Sequence, residues 1–234
     1  MNSTTLKVPD KFKNRLISNP KETNESPIDG YHDMPIFTLE KAVERIIPIL
    51  PQITDFVIQA KNKCKQDSTV LTLDESAAIY LYTMPTKFYE TLNDALRIEN
   101  RHKLKPWFAF LKLFITALTK LPSVSGTFWR GVPCDIVTEY IVDRVQIWWS
   151  VNSCSTKLNV VEMFLDKKGT LFNIQAIEAK NISEYSVFQS EEEVILTPGT
   201  RLRVKSKIDK FGETLSVVQL EEEKSQSVAE TFLE

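Results

Sequence analysis

The stretch Ser190-Glu191-Glu192-Glu193-Val194-Ile195-Leu196-Thr197-Pro198-Gly199-Thr200 sets three consecutive carboxylates at the mouth of an apolar strand. In extended backbone successive side chains alternate faces. Glu191 and Glu193 are therefore expected to point the same way, roughly 7 Å apart along the backbone, with Glu192 opposed to them. Two carboxylates would then converge on one site. Taken alone, a glutamate run beside a strand equally suits a solvated edge that discourages aggregation.

The upstream sequence adds context. Phe128-Trp129-Arg130-Gly131-Val132 places an arginine inside a short aromatic and β-branched run, where a buried charge needs an anionic partner. Between the two lies Trp148-Trp149-Ser150-Val151-Asn152-Ser153-Cys154-Ser155, a strand running into small hydroxyl residues. The order along the chain is arginine, serine, paired glutamates.

In that order the chain resembles the arginine-specific mono-ADP-ribosyltransferases of the R-S-E class, the branch of the vertebrate ecto-enzymes and the bacterial iota and C2 toxins. The matching motifs are Arg130, Ser153-Cys154-Ser155 and Glu191-Glu192-Glu193. Further similarity lies in Ala78-Ile79-Tyr80-Leu81-Tyr82-Thr83, Leu92-Asn93-Asp94-Ala95-Leu96-Arg97, Leu121-Pro122 and Leu196-Thr197-Pro198-Gly199-Thr200, so that it covers roughly residues 28 to 222. Val151 and Asn152 depart from the pattern, which commonly has an aromatic residue and Ser or Thr there.

The resemblance implies a chemistry and a role for each residue. NAD joins a cationic nicotinamide to ribose through a glycosidic bond, and breaking that bond creates an oxocarbenium-like centre. Such a reaction needs an anion near the ribose, a cation near the phosphates and a grip on the leaving group. Glu193 would meet the nicotinamide ribose 2′-hydroxyl and stabilise the developing positive charge. Arg130 would hold the dinucleotide with its permanently charged fork, the alternative being a structural ion pair. Gly131, lacking a side chain, would let its backbone approach the nicotinamide carboxamide. Ser153 would hydrogen-bond within the cleft, positioning Glu193 or the nicotinamide ribose, and Ser155 would hold the turn or cap the next helix.

Glu191 bears on the acceptor. An arginine side chain has an intrinsic pKa above about 12, so a carboxylate must orient it and relieve it of a proton during attack. Tyr185 and Phe188 in the preceding loop are candidate acceptor contacts, although a loop aromatic equally folds inward. The expected function is transfer of ADP-ribose from NAD, as co-substrate, to arginine on an acceptor protein, releasing nicotinamide. Alternatives are an NAD glycohydrolase, with water replacing arginine, and an inactive NAD-binding interaction domain.

Other chemistries fit less well. A conventional glycosidase sets its two carboxyl groups on opposed sides of a sugar, unlike two glutamates on one strand. Cysteine catalysis at Cys154 lacks a partner motif, since only His32 and His102 are present. Cys64, Cys134 and Cys154 form no closed disulfide set and show no metal-ligand spacing, so no metal is expected.

Composition is that of a soluble globular chain, with 42% hydrophobic and 26% charged residues, enough for one substantial domain in 234 residues. A formal charge of −2 gives no general pull toward nucleic acid. The local basic runs Lys61-Asn62-Lys63-Cys64-Lys65 and Arg101-His102-Lys103-Leu104-Lys105 read as solvated helix ends. Met1 to Asn14 lacks the apolar core of a secretory signal, and Trp107 to Leu121 is too short to span a bilayer. These features suggest a cytoplasmic protein with no membrane span, unless an export signal has been removed.

Three segments are expected: a flexible arm over 1–27, a catalytic domain over 28–223 and a tail over 224–234. Helical spacing predicts helices from Thr38 to Pro48 or Pro51, Asp55 to Lys65, Asp74 onward, Thr86 to Leu96, and Pro106 to Lys120, with Thr38 as an N-cap and Pro106 in the first turn. Strands follow at Thr127–Val132, Val145–Ser150, Thr170–Ala176, Glu192–Leu196, Arg201–Ile208 and Leu215–Leu220. A short helix holding Val160, Val161, Phe164 and Leu165 interrupts them. Helices first and strands afterwards imply an α+β class. The resemblance sharpens this to an N-terminal helical half packed on a two-sheet β core that forms an NAD cleft.

Overall fold

Residues 28, 30–98, 100–162, 165, 169–211 and 215–224 are described by the structure, a computed structural model. The expected arm, nearly all of the expected tail, and Phe164 lie outside these residues.

Helices come first: α1 Leu39–Val43, α2 Ile53–Lys63, α3 Leu73–Thr83, α4 Lys87–Arg97 and α5 Phe108–Lys120. Their starts are set by local hydrogen bonding. At α3 the Thr72 hydroxyl accepts from the Glu75 amide at 3.3 Å, while the Glu75 carboxylate accepts from the Thr72 amide at 2.9 Å, a reciprocal capping box. Buried Glu75 also meets Lys120 at 2.6 Å, pinning the start of α3 to the end of α5. Thr38 makes no side-chain cap, and the Leu39 amide is taken instead by Asp74 Oδ1 at 2.9 Å. Helix α1 is short and tightens into a 3-10 turn, Glu44–Ile46, ahead of Pro48. Pro106 sits inside a 3-10 helix, Arg101–Trp107, rather than in the first turn of α5.

One face of α4 buries Phe88, Tyr89, Leu92, Asn93 and Leu96, and α5 is buried along most of its length. Phe88 meets Phe110 edge-on at 4.8 Å, and Phe114 meets Tyr82 at 5.2 Å. The helical core extends into the β half through Val151, Ile182, Tyr185 and Ile195, so the two halves share apolar contacts.

The strands are β1 Ser123–Val132, β2 Val145–Trp148, β3 Asn152–Ser155, β4 Gly169–Asn181, β5 Glu193–Leu196, β6 Thr200–Phe211 and β7 Leu215–Glu222, with α6 Leu158–Glu162 between β3 and β4. The ladder runs β1-β3-β5-β4-β7-β6-β2, and β1 also pairs along β4. Pairings β1–β3–β5–β4–β1 thus close a circuit, while β7, β6 and β2 form a second group joined to it through β4. Only β4–β7 is parallel among these pairs. All seven strands are linked by hydrogen bonds into one sheet, the two groups being joined through the β4–β7 pair. A second apolar core, including Phe128, Tyr140, Trp148, Phe172, Val204 and Val218, fills the β half.

Strand β4 outruns the expected Thr170–Ala176. Where its pairing with β7 ends at Gln175, the Glu222 carboxylate accepts from the Ile177 and Glu178 amides at 2.6 and 3.0 Å. The expected strand Val145–Ser150 stops at Trp148, and β3 begins as a strand of its own at Asn152.

Candidate active site

Strands β1, β3 and β5 lie side by side, and each carries one of the motifs. In Cα register Trp129 faces Ser155, and Ser155 faces Glu193, so the three motifs meet at one rung. Arg130 follows Trp129 and is 3% exposed. Its Nη1 donates to the Ser153 carbonyl at 2.7 Å, and its guanidinium carbon lies 6.0 Å from the Trp148 ring centroid. A carbonyl and an aromatic face thus help to hold the charge. Trp148 Nε1 donates to the Tyr140 hydroxyl at 3.3 Å, and burial pushes that phenol far up, keeping it neutral.

Helices set the height of β3. The Val151 amide donates to Asn93 Oδ1 at 3.0 Å, and the Val151 carbonyl accepts from the Tyr82 hydroxyl at 3.2 Å. One backbone position is therefore gripped from α3 and from α4. Val151 and Asn152, the departures from the family pattern, are both buried. Asn152 Nδ2 donates to the Ser150 carbonyl at 2.7 Å, and its Oδ1 accepts from the Ser150 hydroxyl at 3.3 Å, so the buried amide is satisfied locally.

Beyond them the two serines differ. Ser155 Oγ donates to the Glu191 carbonyl at 2.7 Å and accepts from the Lys157 amide at 3.0 Å, binding the glutamate turn to the end of β3. Ser153 Oγ is buried and finds no hydrogen-bond partner among the described residues. Nor does it touch Glu193 through a hydrogen bond. That contact is made by Ser186, whose Oγ donates to Glu193 Oε2 at 3.0 Å.

Glu191 and Glu193, expected on one extended strand, do not share one. Strand β5 begins at Glu193, not Glu192. Glu191 closes a 3-10 turn, Gln189–Glu191, and Glu192 is left-handed at φ 48°. The alternation of extended backbone therefore does not relate Glu191 to Glu193. Glu193 is buried at the strand's start, with its carbonyl accepting from the Ile182 amide at 3.0 Å. Glu191 is half-buried. Glu192 turns outward to the turn after Ser155, where Lys157 Nζ lies 2.8 Å away and the Thr156 hydroxyl donates to its other oxygen. Lys157 first, then Thr156, hold the Glu192 carboxyl below the usual range.

Tyr185 folds inward. Its ring belongs to the helical core, its hydroxyl shares a hydrogen bond of 3.0 Å with Ser68, and it is not positioned as an outward acceptor contact. Phe188 is half-buried. Gly131 has a structural reason of its own: a Cβ there would lie 2.9 Å from Val161 Cγ1 and 3.0 Å from the Val161 carbonyl. The close approach that requires glycine is that of α6.

Ser186, Lys157 and Thr156 were not singled out from sequence. Ser186 sits in a polar loop whose hydroxyls look alike on paper, and only the fold shows which one reaches Glu193. Among the described residues no helix is long and apolar enough to cross a membrane.

Comparison with known proteins agrees with this architecture. Residues 52–228 match the family described as NAD:arginine ADP-ribosyltransferase. The NAD(+)–protein-arginine ADP-ribosyltransferase Tre1 of Serratia proteamaculans is 30% identical over 156 residues, 66% of this chain and 34% of that protein. A Mycobacterium avium relative is 30% identical over 139 residues, 58% of this chain and 16% of its own length. The matches thus span about a third or less of these relatives. In fold, the chain is similar to the ADP-ribosyltransferase Vis of Vibrio splendidus, solved in complex with agmatine, at a TM-score of 0.58 and 20% identity over 85% of this chain and 92% of that one. The chain belongs to the NAD:arginine ADP-ribosyltransferase family.

Proposed function

We propose that the protein cleaves NAD at its nicotinamide–ribose bond and transfers ADP-ribose to an arginine side chain of an acceptor protein. The observation that carries this reading is the meeting of Arg130, Ser153 and Glu193 on three neighbouring strands, with the Ser153 hydroxyl buried and unmatched. A buried hydroxyl without a partner costs about 1–3 kcal/mol, a penalty that a bound substrate's polar groups would remove. The residues fit NAD in charge, since a guanidinium suits its phosphates and a carboxylate its reacting ribose.

In this reading Arg130 binds the dinucleotide while Ser153, beside it, meets a ribose or carboxamide group. Gly131 offers backbone to the nicotinamide, and Ser155 holds the turn that carries Glu191. Glu193 hydrogen-bonds the ribose 2′-hydroxyl and stabilises positive charge as the glycosidic bond lengthens. The electron pair leaves with nicotinamide, which becomes neutral. Glu191 orients the acceptor guanidinium and takes its proton as the new carbon–nitrogen bond forms. Phe188 immediately precedes the turn Gln189–Glu191 and is the aromatic suited to contact the acceptor. The agmatine in the Vis complex, an arginine mimic, supports this acceptor class.

Incubation with labelled NAD, with and without agmatine, tests the reading on wild type and Glu193→Gln. An ADP-ribosyl-agmatine adduct lost in the variant is the expected result. ADP-ribose alone, with agmatine present, would assign the same site to an NAD glycohydrolase. A folded protein that binds NAD and turns over neither way would make it an NAD-binding domain.

A further inference from the structure

Ser186 is 2% exposed and lies between two residues fastened to the helical half. On one side, the Tyr185 hydroxyl shares a hydrogen bond with Ser68. On the other, the Val187 amide donates to Thr83 Oγ1 at 3.0 Å, at the end of α3. The backbone around Ser186 is thereby held by groups outside its own loop.

The direction of the hydroxyl follows from its neighbours. Ser186 Oγ accepts from the Phe188 amide at 3.1 Å and stands 3.0 Å from Glu193 Oε2. A serine hydroxyl has one proton to give, and an ionised carboxylate can only accept, so the proton points at Glu193. Donation by the Phe188 amide polarises the hydroxyl and strengthens it as a donor. With Oε2 engaged in this way, Oε1 is the oxygen left to meet a substrate hydroxyl.

We infer that Ser186 is a positioning residue for the Glu193 carboxylate, fixing which oxygen faces NAD and linking its orientation to the loop that carries Phe188. This rests on the functional reading above. A carboxylate that must stabilise charge developing at one ribose carbon gains from being held before the substrate arrives. Ser153, which the family pattern would place in this role, makes no such bond.

The test compares wild type with Ser186→Ala, Ser186→Thr, Glu193→Gln and the Ser186→Ala/Glu193→Gln double variant, following nicotinamide release with and without agmatine. Loss of one hydrogen bond to a charged group predicts a fall in kcat of roughly 10- to 100-fold for Ser186→Ala. Hydrolysis and transfer fall together, and KM for NAD and for agmatine stays within about twofold, as expected when ground-state binding is kept. Ser186→Thr, which keeps the hydroxyl, recovers most of kcat. The double variant is no slower than Glu193→Gln alone, because a positioning residue has nothing left to position.

A full kcat in Ser186→Ala overturns the inference. So does a raised KM for agmatine with unchanged hydrolysis, which would mean that Ser186 only shapes the loop. Should Ser186→Ala lose its fold, Ser186→Cys keeps a similar size with a far weaker donor and reads the same kcat. Wild type inert toward NAD sinks the functional reading and this inference together, whereas active wild type with an indifferent Ser186→Ala sinks only the latter.

Discussion

Glu192 and Lys157 form an ion pair at 2.8 Å that joins the turn carrying Glu191 to the turn following Ser155. The left-handed backbone at Glu192 sends its side chain to Lys157 and Thr156, and lets Glu193 enter β5. A middle residue of the glutamate run, with no chemical role assigned to it, thus shapes the position of the other two.

This clamp should show in the pH dependence of stability. Lys157 and Thr156 lower the folded-state pKa of Glu192, so its contribution is complete above the unfolded value, about 4.3, and fades as pH falls through the lower folded one. The Tm gap between wild type and Glu192→Gln is expected to be constant from about pH 7 to pH 5 and to close on further acidification. Both partners are exposed, so 1 M salt should shrink the gap. A gap that widens toward acid would contradict this account.

Ser153→Ala and Ser155→Ala should separate cleanly. The first removes a buried hydroxyl that makes no hydrogen bond among the described residues, so the unliganded protein gains stability, by up to about 1–3 kcal/mol as the desolvation penalty is relieved. KM for NAD rises about tenfold, the loss of one hydrogen bond to substrate. Removing the Ser155 hydroxyl deprives the Glu191 carbonyl and the Lys157 amide of their bonds, costing about 1–3 kcal/mol of stability. Equal effects on stability in the two variants would refute the distinction.

Much of this arrangement was legible in the sequence. Arg130, Ser153 and Glu193 stand in strand-forming runs, and their order along the chain matches the order β1, β3, β5 in space. What the residues could not show was backbone that leaves its regular form. Left-handed Glu192 breaks the alternation that seemed to pair Glu191 with Glu193, and nothing in a run of three glutamates marks which one turns. Long-range bonds were equally hidden: Asp74 takes the cap expected of Thr38, and Ser186 takes the bond to Glu193. Both depend on tertiary contacts that local propensity does not encode.

Gly131→Ala tests whether α6 must sit as close as it does. The new Cβ would stand 2.9 Å from Val161 Cγ1, which must shift, and 3.0 Å from the Val161 carbonyl and 3.1 Å from Leu165 Cδ2, each of which must give slightly. Overpacking of this kind costs about 1–3 kcal/mol, and β1 next to Arg130 would move with it. Denaturant unfolding should report the loss, with NAD turnover reduced in the same variant. An alanine variant of wild-type stability would mean that α6 yields freely.

Asn93 and Tyr82 act on one residue, Val151, and should therefore be coupled. Asn93→Ala strands a buried backbone amide, which costs about 1–3 kcal/mol, whereas Tyr82→Phe leaves a carbonyl that lost one bond, about 0.5–1.5 kcal/mol. Either change loosens the start of β3 and so the Ser153 carbonyl that Arg130 grips. Once one anchor is gone the strand can relax and the second bond loses its geometry, so the double variant should be less destabilised than the sum of the singles. A thermodynamic cycle from urea unfolding, with an interaction term above about 0.5 kcal/mol, is the expected result. The same variants should lose NAD turnover although neither side chain takes part in the chemistry proposed for the site. Strict additivity, with turnover unchanged, would show that the helices do not set the position of β3.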